Sequence, residues 1–299
     1  MKRKNKSAEI TTQQIVLLIV LIVSFAVILF FLLRLNLGKT SESEVCHNSV
    51  VTRSSGVIPK GSIPLNCETT YSCLTKDGTC EGMTSPEIEK VKTKEEVYNV
   101  LAEQMADCWW QFGEGKLNYV EKDLLANNLY CSLCSQIVFD NSLNMFENGE
   151  IDKNGFYDYL ANTNMSDKGI SYLEYLSGIK GSQEIKSTLS AGNSNFGKIN
   201  LGKQYYIMMG VVSQVSALKW VLFGVGVGAG LGVIVFTGGA GTPVVLALGI
   251  GAATGAAGGY FAGTVVKGES GDTYMPPTLI EANSADYQAL KCKDIKTLA

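Results

Sequence analysis

Histidine is almost missing from this chain. Among 299 residues there is one, His47. That scarcity excludes a multi-histidine metal centre, and any Ser-His-Asp or Cys-His arrangement would have to use His47. No Gly-x-Ser-x-Gly elbow accompanies it, and it sits beside a cysteine, so it reads as a plain surface histidine. Charge is scarce too. Charged residues make up 18% of the chain and the net charge is -3, a balance that argues against a nucleic-acid partner. The shortage is uneven. Trp220 to Val266 carries no charged side chain, and neither does Ile15 to Leu33, where Ser24 is the only polar residue. With no acid or base inside either stretch, no ion-relay or transport constellation is present.

What those two stretches do have is length. At about 1.5 Å per residue, Ile15–Leu33 suffices to cross a hydrocarbon core of roughly 30 Å. Lys2, Arg3, Lys4 and Lys6 precede it, which places the N-terminal side in the cytoplasm by the positive-inside rule. No small-residue cleavage site follows, so the run reads as a retained anchor and not as a secretory signal. The second stretch is broken by Thr237-Gly-Gly-Ala-Gly-Thr-Pro243, a turn-forming segment. Its glycines recur every fourth residue: Gly224, Gly228 and Gly232, then Gly251, Gly255, Gly259 and Gly263. In helices such a spacing makes bare stripes that let two backbones approach closely. The expectation is therefore a glycine-zipper helical hairpin, Trp220–Phe236 inward and Val244–Val266 outward.

Eight cysteines are present: Cys46, Cys67, Cys73, Cys80, Cys108, Cys131, Cys134 and Cys292. Seven precede the second apolar stretch and one follows it. Three membrane crossings put all eight in one extracytoplasmic compartment, where an even count points to disulfides. Eight cysteines allow 105 pairings; proximity suggests Cys73 with Cys80.

The segment between the apolar stretches reads as α+β. Residues 40 to 90 are rich in Ser, Thr, Gly and Cys and look irregular or β-rich. Thr93-Lys-Glu-Glu96 is a capping-box pattern. It opens a helix with Val97, Leu101, Met105 and Trp109 at spacing four, closed by Gly113. Leu117–Val120, Leu129–Phe139, Gln204–Val212 and Thr278–Ala282 read as strands, and Phe156–Leu160 and Tyr172–Leu176 as short helices.

Motifs that could carry chemistry are few. Cys131-Ser-Leu-Cys134 has redox spacing, but it lies in an apparent strand and not at a helix N-terminus, so structural disulfides are favoured. There is only one CxxC, which leaves no paired zinc-site units. Glu150-Ile-Asp152-Lys-Asn154-Gly155 resembles the start of a calcium loop, yet the twelfth position is Ala161 where a bidentate Glu is needed. It reads as a helix-start turn. Trp109-Trp110 presents two indoles, one continuing the apolar stripe. Asn164-Met165-Ser166 is a glycosylation sequon of surface-loop type. No catalytic residue, metal ligand or cofactor is assigned.

Glu9-Ile-Thr-Thr-Gln-Gln-Ile-Val16, Cys46-His-Asn-Ser-Val50, Met105-Ala-Asp-Cys-Trp-Trp-Gln-Phe-Gly-Glu-Gly115 and Leu290-Lys-Cys-Lys293 occur in this order. Together they resemble uncharacterised membrane-anchored, cysteine-containing ectodomain proteins of small-genome archaea. The resemblance implies an archaeal envelope location and carries over no catalytic position.

The sequence thus predicts a cytoplasmic tail (1–14), an anchor helix (15–37), a disulfide-stapled α+β ectodomain (38–218), a transmembrane hairpin (219–267) and an extracytoplasmic segment returning to the ectodomain (268–299). The expected role is structural or binding work at the cell surface, non-enzymatic, with membrane lipid and an envelope protein or a second copy as partners. Two alternatives stand beside it: a membrane-remodelling or pore-forming oligomer built on the glycine stripes, and an extracytoplasmic thiol–disulfide oxidoreductase using Cys131.

Overall fold

The first apolar run is one uninterrupted helix, α1 (Thr12–Arg34). Its apolar side chains are exposed along their described length, Leu17 at 69% and Ile28 at 55%. Ser24 turns its hydroxyl back onto the carbonyl of Leu21 at 2.9 Å, so the helix satisfies its own polar side chain. The computed structural model describes residues 12–34, 37–57, 59–62, 64–81, 83–120, 129–143, 147–178, 197–212, 232–237, 243–248, 262–267, 272–290 and 292–295. Among the described residues no helix is long and apolar enough to cross a membrane; the side chains of α1 are described as far as Ile28.

The chain divides after Ser43, and from Glu44 onward it forms a second unit. That unit takes up the end of α2 (Leu37–Ser54), then β1 (Thr70–Thr75), β2 (Glu87–Lys90), α3 (Lys94–Gln111) and β3 (Leu129–Phe139). A small antiparallel pair follows, β4 (Glu150–Asp152) with β5 (Lys198–Asn200). Between these two strands lie α4 (Lys153–Asn162) and α5 (Tyr172–Ser177). The chain continues through β6 (Tyr205–Val212), β7 (Gly232–Thr237), β8 (Pro243–Leu248), β9 (Ala262–Lys267), β10 (Thr273–Glu281), α6 (Ala285–Ala289) and β11 (Lys293–Asp294).

The body of the sheet is β2-β1-β3-β6-β10, extended past β10 by β9, β8 and β7. β1 runs parallel to β2 and β3, while β3–β6 and β6–β10 are antiparallel. β11 lies parallel beside the first half of β3, with Lys293 opposite Tyr130. The register of β10 on β6 shifts between Met275 and Thr278. Pro276-Pro277 stands there, and proline has no N–H for the ladder, so a bulge is the expected outcome.

α3 packs on the sheet with the stripe its spacing requires. Val97, Leu101, Met105 and Trp109 are all buried. The capping box forms: Glu96 N donates to Thr93 Oγ1 at 3.2 Å, and Thr93 N donates to Glu96 Oε2 at 3.3 Å. The other end of α3 turns sharply through three consecutive residues with positive φ, Gly113 at 79°, Glu114 at 55° and Gly115 at 74°. Two glycines make that turn affordable, since only they enter this region without steric cost. Tyr98 and Tyr159 tie α3 to its neighbours, donating to Asp152 O and Asn99 Oδ1, each at 2.8 Å. Asp152 caps α4, accepting from the backbone N–H groups of Asn154 at 3.1 Å and Gly155 at 3.3 Å, as the helix-start reading expected.

All eight cysteines pair: Cys46–Cys67, Cys73–Cys80, Cys108–Cys134 and Cys131–Cys292. The α+β class and the disulfides therefore agree with the sequence, and so does the specific pair Cys73–Cys80.

Three expectations are corrected. Leu117–Val120 is not a strand; it follows the left-handed turn and makes no ladder. Residues 40 to 54, read as irregular or β-rich, lie in α2, whose second part carries Cys46 and His47. The described residues of the second apolar stretch are strands, not helices. β7–β8 and β8–β9 pair antiparallel, and β9 joins β10 through Thr273↔Lys267 and Tyr274↔Val266. Their β-branched runs, Val233-Ile-Val235, Val244-Val245 and Val265-Val266, suit a pleated sheet better than a helix. Gly232 and Gly263 thus stand in β7 and β9. Gly224, Gly228, Gly251, Gly255 and Gly259 lie outside the described residues, as does most of the expected hairpin.

Candidate binding groove on helix α3

Glu103, Ala106, Asp107 and Trp110 follow one another on α3 at i, i+3, i+4 and i+7, a spacing that puts them on one helix face. They form one wall of an open groove of about 330 Å³. Met165, Ser166, Asp167 and Lys168 of the α4–α5 connection and Tyr172 and Tyr175 of α5 form the other. That connection is held as a narrow loop. Met165 N donates to Ile170 O at 2.8 Å, Gly169 N to Met165 O at 3.1 Å, and Tyr172 N to Thr163 O at 3.2 Å. Ser171 then caps α5 by accepting from Glu174 N at 3.2 Å. Asn164, the sequon residue, is exposed and bridges to Ser171 at the base of this loop.

The two indoles of α3 separate. Trp109 is buried in the core, edge-on to Tyr274 with ring centroids 6.0 Å apart. Trp110 is half-buried and lines the groove. His47 stacks on it, with centroids 4.3 Å apart and planes 11° from parallel. The His47 Nδ1 lies 2.8 Å from the carbonyl oxygen of Trp110. A carbonyl only accepts, so Nδ1 carries the proton in this arrangement. His47 is thus not the plain surface residue its sequence position suggests. The neighbouring Cys46–Cys67 bridge fixes the helix that delivers it.

Glu114, in the left-handed turn after α3, contacts two of the groove residues, Tyr175 and Lys168. Its carboxylate accepts from the Tyr175 hydroxyl at 2.6 Å and faces the Lys168 ammonium at 3.6 Å, with Lys116 on its other oxygen. Burial pushes its pKa up, but the hydrogen bonds from Lys116 and Tyr175 and the two lysine charges outweigh this and hold it below the ordinary value. Burial raises Tyr172 to about 12, helped by the charge of Glu103 and, less, by Tyr159 and Asp167. Burial raises Tyr175 further, and the carboxylates of Glu114, Asp167 and Asp107 add to it. Both phenols are therefore neutral at physiological pH, and the groove carries a negative field.

Cys131 and Cys134 are not joined to each other. Alternation along a strand sends residues three apart to opposite faces. Cys134 reaches Cys108 on α3, and Cys131 reaches Cys292 beside β11. Among the described residues no group of three or more His, Cys, Asp or Glu side chains is placed to hold a metal ion.

No protein-family model, no curated protein and no solved structure matches this chain. Its function has to be argued from the groove and the staples. Of the groove residues, Trp110 stood out in the sequence as one of two adjacent indoles, and Met165 and Ser166 only as part of the sequon. The α3 face is legible in the 103–107–110 spacing once the helix is known, but the opposing wall lies some 60 residues further along the chain, and its sequon says nothing of a groove.

Proposed function

We propose that this chain is a cell-envelope protein: a helix-anchored, disulfide-stapled α+β domain that binds a partner outside the membrane. The observation that carries the reading is the complete pairing of the eight cysteines, with none left as a thiol. Disulfides persist in oxidising compartments and are rare in the cytosol. The pair Cys131–Cys292 further requires the main domain and the C-terminal segment to share that compartment. The anchor rests on the sequence, where Ile15–Leu33 carries no charged side chain, a run whose helical length is close to the hydrocarbon thickness of roughly 30 Å. The strands β7, β8 and β9 favour one crossing over three. The groove on α3 supports binding as the role.

The test is to treat intact cells with a membrane-impermeant maleimide, before and after mild reduction, and to locate the adducts by mass spectrometry. The expected result is no label before reduction and label on all eight cysteines after it. Label that appears only after lysis would overturn the location. Label on Cys131 or Cys134 without reductant would return the thiol-exchange reading in its place.

A further inference from the structure

The groove is selective in its chemistry as well as its shape. Glu103, Asp107 and Asp167 bring three carboxylates to it, against one ammonium, Lys168. That ammonium is already engaged. It lies 4.8 Å above the centroid of the Tyr175 ring and faces Glu114 at 3.6 Å. An aromatic face with a carboxylate behind it is the usual cradle for an organic cation. The protein has thus built one such cradle and filled it from its own chain. A second set of the same parts lies along the α3 wall: the Trp110 indole, with Asp107 one turn before it and Asp167 across the groove. His47 covers one face of the indole and holds its orientation, which lowers the ordering cost of binding. Gln111 Nε2 donates to Asp107 Oδ2 at 2.8 Å, a bond that fixes the orientation of the carboxylate. An anionic ligand would meet like charge here, and an apolar one would strip water from three carboxylates without compensating them.

We propose that the groove binds a basic side chain, arginine or lysine, presented by a partner protein, with its cationic head on Trp110 and with Asp107 and Asp167 as counter-charges. The proposal rests on the reading of the chain as a binding protein and names the ligand class of that site. It also assigns Lys168 a second role, as an internal cation that competes for the same field.

The test uses the full chain, purified in an uncharged detergent and titrated calorimetrically at low salt with the peptide acetyl-Gly-Arg-Gly-amide. The control is the same peptide with citrulline, which has the shape of arginine without the charge. The arginine peptide should bind at least about tenfold more tightly than the citrulline peptide. Trp110→Ala and Asp107→Asn should each weaken it by about tenfold, while Trp110→Phe retains most of the affinity. Lys168→Ala should strengthen binding, an effect that general damage to the fold would not produce. Equal binding of the two peptides, indifference to Asp107→Asn, or binding of a neutral oligosaccharide with none of the arginine peptide would each overturn the proposal. Every one of these results comes from purified protein, so failure here leaves the maleimide test of location standing, and the reverse also holds.

Discussion

At the scale of single residues, Glu114 shows how a strained position is put to use. Its φ of 55° is uncommon for a non-glycine residue and costs on the order of 1 kcal/mol. In return its carboxylate lies under Tyr175 and between two lysines. Because its folded pKa is held below the unfolded value of about 4.5, Glu114 contributes stability that is fully present above that value. The contribution is lost as pH falls through the lower, folded pKa. Glu114→Gln is therefore expected to destabilise the protein at pH 7, on the order of 1 kcal/mol after solvent screening. The gap should narrow once the pH falls below 4.5 and the carboxylate becomes protonated. Urea unfolding of both proteins above and below that pH checks this, and a gap that does not change with pH would show that the carboxylate's charge is not what matters. The same substitution should lower the pH at which Tyr175 ionises, because it removes a negative acceptor from the phenol.

At the scale of elements, Gly113 makes the turn after α3 possible. Its φ is 79°, and a Cβ there would stand 2.4 Å from Leu117 Cδ1 and 2.5 Å from Leu117 Cγ. Gly113→Ala combines a left-handed alanine with that overlap, and a loss of more than about 2 kcal/mol is expected in chemical denaturation. A smaller loss would mean that Leu117 gives way easily. This is also the scale at which the sequence was most and least informative. α3 was legible because its cap, its stripe and its closing glycine all agree. β3 was legible as a continuous β-rich run. At Gly232 and Gly263, which stand in strands, the glycine spacing misled for a definite reason. A repeat of four fits one face of a helix, whose period is 3.6, but four is also twice the period of a strand, so the same spacing marks one face of a sheet. The glycine spacing could not separate the two, and the valine pairs beside it carried the better signal. The groove was illegible because it joins α3 to a loop and a helix distant in sequence, and because His47 reaches Trp110 across 63 positions.

At the scale of the whole molecule, cysteine parity was informative about pairing and silent about topology. Cys292 shares a compartment with Cys131 whether the intervening chain crosses a membrane twice or not at all. The staples themselves differ in reach: Cys73–Cys80 encloses a separation of 7 residues and Cys131–Cys292 one of 161. If restriction of the unfolded chain is the main effect, the long bridge is worth about 5 kcal/mol and the short one about 2.5 kcal/mol. Replacing both cysteines of each pair with serine, and comparing urea midpoints under non-reducing conditions, should rank the losses in that order. Equal losses would locate the stabilisation in native contacts around the sulfurs.

That long bridge also sets an order of events for the living cell. β3 waits for a neighbour that is synthesised far later: β11 and Cys292 cannot take their places until everything between them has been translated. Until then half of one edge of β3 is bare and Cys131 is a thiol. The nascent domain therefore passes through a stage in which Cys131 is open to the wrong partner, Cys134 and Cys108 included, and a mispaired chain must exchange disulfides to reach the native set.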